Sequence, residues 1–301
     1  MPSYRHLIST EQFDRRWVEE QLFPLADCLR DANGGQELAK GKALFNLFYE
    51  PSFLTRVSFE RAMRLLGGEA YFTEDASQFF PVRTPNYIDN TIAILASLHI
   101  NIVVLRSSDE GVFQRAEAAN GISVINGGSL DDHPTQALAD LYTIARELGG
   151  VDGARVAVAG RLEHRNVSAL LRGLALFKDV QVDLVPFSGQ VDPAVVAYCE
   201  SKSLRLTTHE DTKPLAEADV IYLNGPRTVA HVELLKSRNA FNLRIDEAFI
   251  ARLKPGCIIM DPMQRSGDFS VEVDDRRVAS YRQAENALFV RMAVLAELIG
   301  E

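Results

Sequence analysis

The chain has 301 residues, enough for two domains of ordinary size, and 47% are hydrophobic, as in a globular protein with a full core. Its formal net charge of -9 argues against a general nucleic-acid or anionic-membrane surface. No apolar run approaches the roughly 20 residues that span a bilayer, and Met1–His6 lacks the apolar core of a signal peptide. The three cysteines have neither zinc nor redox spacing, so we expect buried, reduced thiols in a cytoplasmic protein.

In the first half of the chain, apolar strands alternate with segments of helical spacing. The predicted strands are Ala43–Glu50, Glu69–Phe72, Ile100–Leu105 and Ser123–Asn126. The predicted helices are Thr55–Leu66, Asp89–Leu98 and Pro134–Leu148, and glycine pairs end the first and the last of them.

The second half repeats this alternation after Gly149-Gly150. The predicted strands are Arg155–Ala159, Val180–Val185, Ala218–Leu223 and Cys257–Met260. The predicted helices are Val167–Phe177, Pro193–Ser201, Glu247–Leu253 and a final helix at about Asn286–Leu298.

Repeated strand–helix units predict an α/β fold of two similar domains, each a mainly parallel sheet flanked by helices. We expect one domain at 1–145 together with the C-terminal helix 286–301, and the other at 151–285. Ligands in open α/β sheets bind beyond the carboxyl ends of strands, so we expect a ligand cleft between the two domains. The residues just past predicted strands are Ser52, Arg106, Gly160, Asn224 and Asp261.

Three segments carry residues suited to an anionic ligand. Ser52–Arg56 opens a helix, where free backbone N–H groups and the helix dipole favour phosphate, although Ser52 could simply cap the helix. Arg106 ends a strand and could bind phosphate through two hydrogen bonds, or could be a solvated arginine. His133 and Gln136 lie one helical turn apart and could face one ligand, although a lone histidine is more often structural.

Two longer motifs contain these residues, FYEPSFLTRVSFE at 48–60 and HPTQALADLYTI at 133–144. Together they resemble the carbamoyl-phosphate half of the aspartate/ornithine carbamoyltransferase family, and Arg291-Met292-Ala293 near the end of the chain resembles its aspartate branch. The resemblance implies carbamoyl transfer from carbamoyl phosphate or a related donor to the amino group of an amino acid or related amine. It implies no metal and no cofactor, and it implies a homotrimer with sites shared between subunits.

The resemblance also implies roles for individual residues. Thr55, Arg106 and His133 would be catalytic, because together they would stabilise negative charge on the carbonyl oxygen. The residues expected to bind the donor are Ser52, Arg83, Gln136 and Met263. The residues expected to bind the acceptor are Arg165, Arg227 and Arg265.

Four departures from the family pattern lie at expected ligand contacts. Phe53 and Leu54 stand where the family has a phosphate-binding Thr and Arg, and neither side chain can donate a hydrogen bond. Arg83-Thr84-Pro85 stands for the mobile-loop Lys-Gly-Glu. Asn224-Gly225-Pro226-Arg227 replaces the Thr-Arg-x-Gln part of the acceptor motif. Asp261-Pro262-Met263-Gln264-Arg265 replaces His-Pro-Leu-Pro-Arg.

Three interpretations stay open on this basis. The chain is a carbamoyltransferase-family enzyme with altered donor and acceptor pockets. Alternatively, it is a catalytically inactive paralogue with a structural or regulatory role, with a pyrimidine-pathway protein as a possible partner. The third interpretation keeps acyl transfer but uses a different, less charged donor.

Overall fold

A computed structural model describes residues 4–32, 35, 37–73, 75–78, 86–118, 121–225, 245–262 and 274–300. The chain divides into two compact units, Met1–Ala139 with Glu285–Glu301, and Asp140–Ala284. Each unit contains one sheet whose described strand pairs are all parallel, with helices before and after its strands. This confirms the predicted fold class.

In the first unit, the described strands form a sheet of order β2-β1-β3-β4. Its strands are β1 Ala43–Phe48, β2 Glu69–Phe72, β3 Ile102–Arg106 and β4 Ser123–Asn126. Its helices are α1 Arg15–Trp17, α2 Phe23–Asp31, α3 Phe53–Leu65, α4 Tyr87–Ser97 and α5 Val112–Glu117, and α6 Pro134–Leu148 starts in it. Every residue of β3 is buried, which is why this central strand reads as a continuous apolar run.

In the second unit, the described strands form a sheet of order β7-β6-β5-β8-β9. Its strands are β5 Arg155–Arg161, β6 Gln181–Ser188, β7 Arg205–Thr208, β8 Val220–Asn224 and β9 Ile258–Met260. Its helices are α7 Arg165–Leu174, α8 Pro193–Ser201, α9 Lys213–Glu217 and α10 Glu247–Ile250, and the C-terminal helix α11 Ser280–Ile299 begins in it.

The N-terminal segment has structure that the sequence pattern did not predict. A 3-10 turn at Thr10–Gln12 begins with a capping box between Ser9 and Gln12. A π-helical turn, Val18–Leu22, joins α1 to α2. Leu7 forms a parallel bridge with Ile125, so this segment is attached to β4.

The C-terminal helix begins at Ser280, six residues before the predicted start at Asn286. The added residues are held by Gln283, whose side-chain amide donates to Asp140 at 2.7 Å and whose side-chain oxygen accepts from the Asp261 N–H at 2.8 Å. These partners are distant in sequence, so no local pattern could reveal them.

The three cysteines all lie in the described part of the chain and form no disulfide there, but the expectation that all are buried was wrong. Cys199 and Cys257 are buried, whereas Cys28 is exposed on α2. Burial raises the pKa of the Cys257 thiol to about 12. Within the described ranges, no helix is both long and apolar enough to cross a bilayer.

Candidate active site

The carboxyl ends of three neighbouring strands form one edge of the first sheet. β1 pairs with β3, and β3 pairs with β4, so the chain segments that leave these strands emerge side by side. β1 leads to Ser52, β3 ends at Arg106, and β4 leads to His133. Parallel sheets bind ligands at this edge, which is where the sequence predicts the residues expected to bind the donor.

Ser52 occupies the N-cap position of α3, with extended backbone angles of φ -154° and ψ 107°. Its side chain makes no capping hydrogen bond with the described residues of the helix. The alternative that Ser52 serves only as a helix cap is therefore not what the structure shows. The hydroxyl and the N–H groups of the first turn of α3 can bind an anion, because this end of the helix dipole is positive.

Thr55 and His133 are in direct contact. The Thr55 Oγ1 atom lies 3.3 Å from His133 Nε2, and the two residues are 6% and 4% exposed. Thr55 lies in the first turn of α3, and His133 immediately precedes α6. The sheet edge thus brings together two side chains that are 78 residues apart in sequence.

Arg106 is 5% exposed at the end of β3. One guanidinium nitrogen donates to the Gly127 carbonyl at 2.9 Å, and the Arg106 carbonyl accepts from the Tyr49 N–H at 2.9 Å. The residue is therefore held between the chain segments that follow β1 and β4. Gly127 also lies close to β3, because a Cβ at this position would be 2.8 Å from Val104 Cγ1.

Gln136 lies in the first turn of α6 and is 6% exposed. Its backbone N–H donates to the His133 carbonyl at 2.9 Å, which places the two residues one helical turn apart, as predicted. The first unit thus brings Ser52, Thr55, Arg106, His133 and Gln136 to one sheet edge. Chemically, this edge offers hydroxyl, imidazole, amide and guanidinium groups to an anionic or carbonyl ligand.

In the second unit, the carboxyl ends of β5, β8 and β9 are likewise adjacent. Arg165 is the first residue of α7 and is buried. His164 caps this helix by accepting the Asn166 N–H at its Nδ1 at 3.2 Å. Arg165 is therefore fixed at a helix start, where a carboxylate would also meet the positive end of the helix dipole.

Arg161 is a residue of this edge that the sequence analysis did not single out. Its Nε atom donates to the Gly225 carbonyl at 3.1 Å, and its own carbonyl accepts from the Asn224 side-chain amide at 2.8 Å. These bonds tie the end of β5 to the segment that follows β8. Gly160 lies within β5 rather than at its end. A side chain is excluded there, because a Cβ at this position would lie 2.1 Å from the Asn224 carbonyl oxygen.

A buried polar network joins β8 and the residue that follows β9 to α6 and α11. The Tyr222 hydroxyl donates to Asp140 at 2.9 Å, and Asp140 also accepts from Gln283 at 2.7 Å. Gln283 in turn accepts the backbone N–H of Asp261 at 2.8 Å. Burial, and then the Asp140 charge, raises the pKa of Tyr222 well above its usual value, so its hydroxyl remains a donor. The sequence signal was Asp140 itself, a motif residue to which no role had been given.

Four of the predicted site residues lie outside the described residues. They are Arg83, Arg227, Met263 and Arg265.

Two models of one protein family together match most of the chain. The aspartate/ornithine carbamoyltransferase carbamoyl-P binding domain matches residues 5–146, and the Asp/Orn binding domain of the same family matches residues 152–298. The chain belongs to the aspartate/ornithine carbamoyltransferase family.

Individual members of the family are similar over almost the whole chain. A chloroplastic aspartate carbamoyltransferase of Arabidopsis thaliana is 34% identical, over 97% of this chain and 77% of that protein. The aspartate carbamoyltransferase catalytic subunit of Methanococcus vannielii is 33% identical, over 98% of both chains. A structure of Trypanosoma cruzi aspartate transcarbamoylase with carbamoyl aspartate and phosphate has a TM-score of 0.86 and 29% identity, covering 97% of this chain and 95% of that one.

This member of the family carries an exposed phenyl ring at the start of α3. Phe53 is 77% exposed, and Leu54, which follows it, is also partly exposed. The Arg56 guanidinium lies 4.5 Å from the centre of the Phe72 ring and 3.6 Å from a Glu60 carboxylate oxygen. The prediction that Phe53 and Leu54 alter the donor pocket stays a prediction.

Proposed function

We propose that this protein transfers a carbamoyl group from carbamoyl phosphate, or a related donor, to the amino group of an amino acid or related amine. The amine nitrogen attacks the carbonyl carbon and forms the new C–N bond. The bond from this carbon to the phosphate oxygen then breaks, and phosphate leaves with the electron pair. The amine loses one proton, so the products are an N-carbamoyl compound and inorganic phosphate.

One observation supports this proposal above all, the contact between Thr55 and His133 at 3.3 Å. Both side chains can donate a hydrogen bond to the oxygen on which negative charge grows during the attack. Arg106 adds a fixed positive charge at the same edge of the sheet. Because all three are almost completely buried, their interaction with the developing charge is weakly screened by water.

The other predicted roles complete the proposal. We assign donor binding to Ser52 and Gln136, together with Arg83 and Met263. We assign acceptor binding to Arg165, Arg227 and Arg265.

At the level of domains, we assign the donor to 1–145 with the helix 286–301, and the acceptor to 151–285. We propose a cytoplasmic homotrimer with shared sites, which light scattering on the purified protein would test. A monomer at working concentration would contradict it.

Ligand binding tests the donor half of this proposal directly. Carbamoyl phosphate at 100 times its dissociation constant should stabilise the folded protein by about 2.7 kcal/mol, because it binds the folded state alone. Thermal shift and calorimetric titration would measure this for wild type and for Arg106→Gln. Arg115→Gln is the matched control, since Arg115 is a more exposed arginine of the same unit that contacts Asp109 at 3.3 Å.

We expect Arg106→Gln to weaken binding by about 10- to 100-fold, the value of a charge-assisted hydrogen bond, and Arg115→Gln to leave binding unchanged. No stabilisation of the wild type at millimolar carbamoyl phosphate would contradict the proposed donor. If a neutral carbamoyl compound bound instead, the interpretation with a less charged donor would replace it.

The exposed ring of Phe53 favours a second candidate function, a catalytically inactive paralogue that binds a protein. A phenyl group that is 77% exposed at the edge of a proposed phosphate site cannot donate a hydrogen bond to phosphate, and it is accessible to a protein partner. On this interpretation, Phe53→Thr should abolish binding to a pyrimidine-pathway partner in a pull-down, whereas His133→Ala should leave it intact. Loss of the biological role in His133→Ala would contradict this candidate.

A further inference from the structure

We propose that Thr10 and Asp132 are positioning residues for His133, and this inference rests on the proposed function. The N-terminal segment of the chain acts through Asp132 as a clamp that holds the imidazole against Thr55. Neither residue belongs to the motifs that identify the family, and Thr10 lies 122 residues before Asp132 in sequence.

The contacts of Asp132 define the clamp. One carboxylate oxygen accepts from the Thr10 hydroxyl at 2.6 Å and from the backbone N–H of His133 at 2.8 Å. The other oxygen accepts from the backbone N–H of Thr10 at 2.7 Å. Thr10 is 0% exposed and Asp132 is 5% exposed. A carboxylate buried to this extent needs these donors, so its position is tied to them.

The loop that contains Asp132 is closed on itself. Ser129 donates through its backbone N–H to the Asp132 carbonyl at 2.9 Å, and its hydroxyl accepts from the Asp132 N–H at 3.0 Å. The backbone immediately before His133 is therefore fixed within the loop, and the loop itself is attached to Thr10.

The N-terminal segment is in turn attached to the sheet. The Leu7 N–H donates to the Val124 carbonyl at 2.8 Å, and the Asn126 N–H donates to the Leu7 carbonyl at 2.8 Å. The Asn126 side chain also donates to the Ile8 carbonyl at 2.9 Å. The segment thus holds β4 at one end and Asp132 at the other, which are the two ends of the loop that leads to His133.

This arrangement determines where the imidazole lies relative to the Thr55 oxygen. His133 precedes α6, so the helix fixes its carbonyl side and Asp132 fixes its N–H side. A displacement of about 1 Å at a catalytic group can reduce the rate by about 100-fold. Loosening the clamp should therefore affect the transition state more than it affects binding of the donor.

The test compares two threonines that differ in their connection to His133. Thr10→Val removes the hydroxyl and keeps the shape of the side chain, and Thr10→Ser restores the hydroxyl. Thr91→Val is the matched control, because Thr91 is a buried threonine of the same unit whose hydroxyl donates to the Tyr87 carbonyl at 2.7 Å on α4. Asp132→Asn keeps the shape of the side chain but removes its charge and one acceptor.

The readout is the NMR spectrum of the imidazole groups in ¹⁵N-labelled protein, to which the six histidines contribute six sets of signals. The set that disappears in His133→Gln belongs to His133. We expect Thr10→Val and Asp132→Asn to shift or broaden the His133 signals and to speed exchange of its amide proton at least about tenfold. Thr10→Ser and Thr91→Val should match wild type. If Thr10→Val does not fold, Asp132→Asn decides the question. Unchanged His133 signals in the folded variants, or an equal change in Thr91→Val, would overturn the clamp.

Kinetics add a readout that a purely structural role would not change. Thr10→Val should lower kcat by about 10- to 100-fold and change KM for carbamoyl phosphate by less than about threefold, since it perturbs an interaction made in the transition state. Equal losses in Thr10→Val and Thr91→Val would also overturn the clamp. If the wild type transfers no carbamoyl group, the proposed function fails, while the spectra still decide whether the clamp positions His133.

Discussion

Replacing Tyr222 by Phe removes one oxygen atom from the buried network of the second unit and keeps the ring. Tyr222 and Asp140 are both 0% exposed, and their hydrogen bond is 2.9 Å long. A hydrogen bond to a charged group contributes about 1.5–3 kcal/mol, and the buried carboxylate would lose a donor without gaining water. We therefore expect Tyr222→Phe to lower the free energy of unfolding of this unit by about 2–3 kcal/mol.

Urea denaturation followed by circular dichroism would measure this loss. With a slope of about 2 kcal/mol per molar urea, the midpoint should fall by about 1–1.5 M. Tyr281→Phe is the control, because it deletes the same atom from a residue of the same unit that is 72% exposed, and it should change stability by less than about 0.5 kcal/mol. Equal midpoints for Tyr222→Phe and wild type would refute the assignment of this bond as a stabilising contact.

Two further predictions concern pH and backbone geometry. Burial lowers the pKa of His6 below its ordinary value of 6.5, and its Nδ1 accepts from the Val124 N–H at 3.2 Å. The unfolded chain then binds the proton more tightly, so the free energy of unfolding should fall as pH drops below about 6.5. Urea titrations between about pH 5 and pH 8 should show that the free energy of unfolding depends less on pH in His6→Gln than in wild type. Identical pH profiles for the two proteins would contradict this. Gly160→Ala should cost more than about 4 kcal/mol, because its Cβ would lie 2.1 Å from the Asn224 carbonyl oxygen at φ +129°. Gly150→Ala, with no described atom within 4 Å of the new Cβ, should cost less than about 1 kcal/mol, and similar losses in both variants would contradict the close approach.

Apolar periodicity predicted the central strands and the longer helices because burial on both faces leaves continuous apolar runs. It missed β7, whose residues Arg205–Thr208 form the polar, largely exposed edge of the second sheet. It also missed the helical segment around the π turn Val18–Leu22, since an irregular turn shifts the apolar positions away from a 3.6-residue period. The early start of α11 depends on Gln283, whose partners are distant in sequence.

The location of Ser52, Arg106 and His133 at one sheet edge could be expected from the sequence, because these residues follow strand ends and parallel strands end at a common edge. The roles of Thr55 and His133 followed from the family resemblance, and they stay predictions. The residues that support these two could not be predicted from the sequence, because Thr10 and Asp132 meet only after folding. Arg161 was missed on the acceptor side, since nothing in the sequence shows that its guanidinium reaches the Gly225 carbonyl.

The most direct test of the account is transfer of the ¹³C-labelled carbamoyl group from carbamoyl phosphate to a panel of amino acids and related amines, followed by NMR. We expect wild type to form an N-carbamoyl product with at least one acceptor, and His133→Ala to form it about 100- to 1,000-fold more slowly, the usual effect of losing one oxyanion donor. No product with any acceptor at millimolar donor, or equal rates for wild type and His133→Ala, would contradict the proposal that the Thr55–His133 pair activates a carbamoyl carbonyl.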